Sequence, residues 1–322
     1  MYLTEISNFP SFSPFRVAKK HSVHNKFDLI SRSFDDALLR RLKTLAAPSI
    51  SLSWLSKAVD FLSLAHSEAR SLISNLEVTS LDDSLACYLD DSVKLLDICN
   101  SVSAEIERLR QRRLVLTFAI HLLGDGKVRR ARESLTEWES RALGFGKRCN
   151  AEVLVKDLAL GLRNAPSGKI SSVGRLMRRT VYAVGLVTVF VAGAVVSALS
   201  GSPEMVAVRV PGEFPWAESL NELETEVSGE LKRRFGGVEL KGLLLEEVDD
   251  VAARVREACE VMDNGAAEED KEKKERLNDV VKELEGAMGS FSDGLEGLSK
   301  RVNEMFHGVL CNRNRMLGNV RI

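Results

Sequence analysis

What this chain lacks narrows its chemistry. No HExxH, GxSxG, Rossmann fingerprint or EF-hand loop occurs in its 322 residues, so the motifs of metal hydrolysis, acyl transfer, dinucleotide binding and calcium binding are missing. The five histidines are scattered and show no metal-ligand spacing. Cys87, Cys99, Cys149, Cys259 and Cys311 are odd in number and form no CxxC, which fits a reducing compartment better than a disulfide framework. Cys87 and Cys99 fall within an apolar helical pattern and are expected as core thiols. A net charge of −1 argues against a broad nucleic-acid surface. No cofactor, metal or small-molecule substrate is indicated, and no enzymatic activity is expected.

Aromatics make up only 6% of the chain and prolines number seven, whereas hydrophobic residues reach 44% and charged residues 28%. Leu, Val, Ala, Glu and Arg are abundant, which is the profile of helix rather than sheet. The expected fold is all-α: an elongated multi-helix bundle of long amphipathic helices around a central apolar helix. Four segments are read. Residues 1–26 form a flexible N-terminal segment without a secretory signal, and their basic, serine-bearing character leaves a plastid transit peptide open. Residues 27–163 form an N-terminal bundle half, 164–203 a loop and the central apolar helix, and 204–322 a C-terminal helical half.

Apolar residues at three- and four-residue steps predict helices from Phe27, over 52–76, and from about Ser80 to Gly124. His66 lies within the second and reads as a solvated or packed histidine. Arg108, Arg110, Arg112 and Arg113 load the far end of the third, read as a solvated face offset by Glu105 and Glu107. GDGK at 124–127 lacks the rest of a phosphate loop, so a helix-to-helix turn is expected. The acid pairs Asp82–Asp83, Asp90–Asp91 and Asp249–Asp250 are expected at the surface. Residues 201–215, punctuated by Pro and Gly, read as a hinge between halves.

The last helix carries the clearest pattern. Leu277, Val281, Leu284, Met288, Phe291, Leu295, Leu298, Val302, Met305 and Val309 alternate steps of four and three. Such an a/d repeat is the mark of a coiled-coil seam or a long bundle helix, and it is the candidate interaction seam for protein partners. Glycines within the same stretch cost it roughly 1 kcal/mol each relative to Ala, so the helix needs partners to persist.

Residues 180–203 (TVYAVGLVTVFVAGAVVSALSGSP) carry no charge and suffice in length to span a bilayer. Arg175, Arg178 and Arg179 precede the run as a candidate membrane flank. Residues 160–179 hold five Lys/Arg and no acid, whereas 204–223 hold one Arg and four Glu, which would leave the N-terminal half cytosolic. Gly193, Ser197 and Gly201 offer a small-residue face for helix contact. Yet a helix apolar all round serves equally as a bundle centre, and a span would separate amphipathic helices that look built to pack together. Membrane association and a soluble cytoplasmic bundle both stay open at this point.

Three stretches carry a family likeness: LSWLSKAVDFLSLAHSEARSLISNL (52–76), YLDDSVKLLDICNSVSAEIERL (88–109) and PWAESLNELETEV (215–227). Together they resemble the plant BYPASS-related family, most specifically in DDSVKLLDICN at 90–100. The resemblance implies a plant protein with an α-helical fold and no catalytic residues. It also implies control of a root-derived mobile signal that arrests shoot growth or, in other relatives, contact with an exocyst subunit in polarised secretion.

Overall fold

The computed structural model describes residues 15–45, 49–76, 83–142, 150–162, 172–237, 244–263 and 271–320. Among these, the chain is all-α, with no strand. In order the helices are α1 (Phe15–Leu42), α2 (Leu52–Ser74), α3 (Asp83–Gly124), α4 (Val128–Ala142), α5 (Asn150–Gly161), α6 (Val173–Ser200), α7 (Ala217–Gly237), α8 (Glu246–Asp263) and α9 (Lys271–Val320). A 3-10 turn, Lys43–Leu45, closes α1. That helix starts at Phe15 rather than at Phe27, because no Pro or Gly interrupts 15–42 even where the apolar pattern is weak. Residues 1–14 of the expected flexible segment, and Ser80 and Asp82 of the expected α3 start, lie outside the described residues.

Local chemistry sets several boundaries. The Ser51 side chain accepts from Trp54 N to begin α2, and Ser172 accepts from Arg175 N to begin α6. Gly201, at φ 69°, ends α6 in the left-handed conformation that glycine adopts without a Cβ clash. At GDGK, Lys127 N donates to Leu122 O and Gly126 takes φ 73°, so the segment is the helix-to-helix turn its sequence suggested.

Long α9, with 50 residues and so about 75 Å in length, is the outer beam. It runs parallel to α2: Gly294 meets Leu52, Gly297 meets Ser56, Arg301 pairs with Asp60 and Ser63 donates to Met305. It runs antiparallel to α3, since Arg113 reaches Ser292, Arg110 pairs with Glu296 and Arg313 bonds Leu89 and Ser92. A third neighbour is α8, tied by Arg254–Glu283. On the other side of α2 and α3 lies α6, which also packs against α1, α5 and α7. Antiparallel α5 seats Val155 at Gly193, and Leu162, just past its end, meets Gly185.

One continuous apolar core runs from Phe34 to Met316, so both sequence halves contribute to it. The connector read as a hinge is anchored: Val208, Val210, Phe214 and Trp216 are buried. Asn221 holds both the N–H and the carbonyl of Val210.

Candidate functional site

Three helix junctions bring buried or half-buried polar side chains together across the core. The first joins α2, α3 and α6. Thr188 donates its hydroxyl to Val184 O (2.8 Å), so its oxygen accepts from His66 Nε2 (3.1 Å). His66 Nδ1 is then left as acceptor, and the Tyr88 hydroxyl donates to it at 3.0 Å. Both ring nitrogens are satisfied in a neutral imidazole. Burial lowers the His66 pKa to about 4 and raises that of Tyr88. A cavity of about 20 Å³ adjoins them, lined also by Asp91, Ser92 and Leu158, which is room for one water. Asp91 is half-buried, its pKa raised by desolvation against the pull of Lys94. The junction is thus a packed, fully bonded histidine that fixes three helices in register.

A second junction joins α1, α6 and the start of α7. Asp35, 3% exposed, accepts from Arg179 (2.9 Å) and from Trp216 Nε1 (2.9 Å). Arg179 also donates to Ser31 at 3.2 Å and lies 3.9 Å over the Phe214 ring. The third clasps α2 to α8. Glu247 accepts from Leu52 N at 2.9 Å, Glu246 N donates to Ile50 O at 3.0 Å, and the Ser49 hydroxyl donates to Glu246. Desolvation raises the Glu247 pKa, opposed by the backbone N–H groups that it accepts from.

The residues singled out by sequence fall as follows. Leu284, Met288, Phe291, Leu295, Leu298, Val302, Met305 and Val309 are buried, while Leu277 and Val281 are half-buried at the entry to α9. Since α9 packs against α2, α3 and α8, this seam is filled from within the chain and is no open strip. The Arg flank divides. Arg179 is committed to Asp35, whereas Arg175 and Arg178 are exposed. From Thr180 to Leu199 every residue of α6 is buried except half-buried Val181 and Gly185. The small-residue face is covered by the connector, because Met205 closes to 3.1 Å of a Cβ built on Gly193 and Ser197 donates to Glu204 O.

Other readings need correction. Cys87 is exposed; only Cys99 of that pair is a core thiol, its pKa pushed up to about 12 by burial. The α3 arginines are a solvated face only in part: exposed Arg108 pairs with Glu105 and Arg110 with Glu107, as expected, but Arg110 and Arg113 also bridge to α9, and Arg112 lies 5.7 Å from the Trp138 ring centroid. No local signal announces the links to α9 and Trp138, because each partner is remote in sequence. Asp83, Asp90 and Asp250 are exposed, as expected, and Asp249 is half-buried against Arg234. Among the described residues no His, Cys, Asp and Glu cluster could hold a metal.

Residues 15–153 and 145–320 match the family model described as Protein ROH1-like. UPF0496 protein 4 of Oryza sativa subsp. japonica is 38% identical over 77% of this chain and 59% of its own length. The chain therefore spans about three fifths (59%) of that rice relative. Protein BPS1, chloroplastic, of Arabidopsis thaliana is 31% identical over 97% of this chain and 90% of the relative. Protein ROH1D of the same plant is 24% identical over 89% and 87%. No solved structure matches. With the family model covering nearly all of the sequence and BPS1 aligned almost end to end, the chain belongs to the ROH1-like, BYPASS-related family of plant proteins.

Proposed function

We propose that this protein is a BYPASS-like plant regulator that acts as a scaffold through helical protein contacts rather than by catalysis. The end-to-end likeness to BPS1 is the observation that carries the reading. The polar side chains described in the core add to it, since His66, Asp35 and Glu247 all serve to join helices. In this reading the protein restrains a root-derived signal that arrests shoot growth. Expression in Arabidopsis lacking BPS1 is expected to restore shoot growth. Arrest that persists while the protein accumulates normally would refute it, and turnover of a substrate by the purified chain would refute the non-enzymatic part.

The likeness to ROH1D favours a second reading, an adaptor bound to an exocyst subunit in polarised secretion. It predicts that the tagged chain captures that subunit from plant extract through outer helix faces, because the α9 seam is occupied. In both readings α6 acts as the bundle core. Alkaline carbonate is then expected to release the protein from plant membranes, and retention in the pellet would overturn that assignment. The name of BPS1 makes a plastid address the alternative to a cytoplasmic one, and a fluorescent fusion of the full chain separates the two.

A further inference from the structure

The outer face of α1 is the feature that the core does not explain. Lys26, Leu29, Arg32, Arg40 and Lys43 are all exposed. At 3.6 residues per turn they fall within a sector roughly 120° wide. The opposite sector carries buried Ser31, Phe34, Asp35, Leu38 and Leu42. Asp36 is the one acid on the outer sector, and none of its four cations is ion-paired among the described residues. Leu29, in the middle, is 64% exposed, the largest value among the exposed apolar side chains. The sequence of α1 ahead of Lys26 adds Arg16, Lys19 and Lys20 and no acid. All of this sits on a chain whose net charge is only −1.

We propose that α1 is a peripheral docking face for an anionic membrane surface, with Lys26, Arg32, Arg40 and Lys43 facing lipid phosphates and Leu29 entering the headgroup layer. Clustered basic residues on a helix that also shows an apolar side chain are drawn to anionic leaflets, and salt screens that attraction. A nucleic acid would also satisfy the cations, but it offers nothing to an exposed leucine at their centre, so a bilayer is the better fit. Association of this kind leaves α6 in the core and needs no inserted helix.

The test is sedimentation of the purified full chain with phosphatidylcholine vesicles, with and without phosphatidylserine, at low and high salt. Binding is expected only with phosphatidylserine and is expected to vanish at high salt. Lys26→Glu/Arg32→Glu/Arg40→Glu is expected to weaken binding on the order of a hundredfold. Lys57→Glu/Arg129→Glu/Arg130→Glu makes the same charge change at exposed sites elsewhere and is expected to weaken it far less. Circular dichroism confirms that both variants are folded. Equal binding to neutral vesicles, binding that survives high salt, equal loss in both variants, or binding to duplex DNA in place of vesicles would each overturn the proposal. The assay is independent of shoot growth, so its failure is distinguishable from failure of the developmental role.

Discussion

Neutral His66 makes stability depend on pH in a calculable way. Its folded pKa lies near 4 because burial disfavours the imidazolium, against an ordinary value of 6.5. Between these two values the unfolded chain binds a proton at His66 that the folded chain does not. Stability is therefore full above the unfolded pKa and falls as the pH drops from 6.5 toward 4. The loss from this one residue works out at about 2 kcal/mol between about pH 7.5 and 5, and about 3 kcal/mol by pH 4. Asp91 on the same cavity has the opposite tendency, since its raised pKa makes the folded state take up a proton first. Tyr88, whose pKa burial raises, does not titrate in this range. His66→Gln keeps a donor and an acceptor at the junction but removes the titration, and the contribution of Asp91 cancels in the comparison. Urea unfolding of both proteins at the two pH values gives the difference. If wild type and variant lose the same stability on acidification, His66 is not a buried neutral base and the junction is misassigned.

Three further perturbations probe other contacts by chemical or thermal unfolding. Asp35→Ala strands the Arg179 guanidinium and the Trp216 N–H and is expected to cost about 3–5 kcal/mol, whereas Ser31→Ala removes one bond and about 1 kcal/mol; equal costs would show that the ion pair is not buried. Gly294→Ala puts a Cβ 2.9 Å from Leu52 Cβ and is expected to destabilise by about 1–3 kcal/mol. Gly289→Ala, facing open space, is expected to stabilise by up to about 1 kcal/mol, and the same sign for both would refute the close α2–α9 approach. Leu298→Ala, at a site with 0% exposure, is expected to cost about 3 kcal/mol, whereas an open seam would show almost no change.

How far the sequence could be read follows from the range over which each feature is encoded. Helices α2 and α9 and the GDGK turn rest on periodicity and breakers within a dozen residues, and they appear where local pattern places them. The a/d repeat of α9 is equally plain, but a repeat says only that a seam is buried and not what fills it. Gly294 reads locally as a cost to the helix, and only the arrival of Leu52 reveals it as a contact. Arg179 behaves likewise: beside an apolar run it resembles a membrane flank, until Asp35 from α1 and Phe214 from the connector close around it. Cys87 shows the reverse error, since an apolar neighbourhood on one helix turn did not place its own position inward.

The apolar circumference of α6 follows from the same long-range closure. Such a helix must be covered on all sides, and the cover comes from both ends of the chain. Helices α1, α2, α3 and α5 supply part of it. Met205 on Gly193, Trp216 bonded to Asp35, the packing of α7, and Leu244 N donating to Ala198 O supply the rest. A fragment ending at residue 203 loses every contact in the second group and leaves one flank of α6 bare over several turns. That fragment is expected to pellet with membranes and resist alkaline carbonate, while the full chain is released. Carbonate release of both would mean that residues 204–320 do not cover α6, and retention of both would mean that α6 lies in lipid even when its cover is present. Only the split result agrees with a helix whose apolar length is matched by protein rather than by a bilayer.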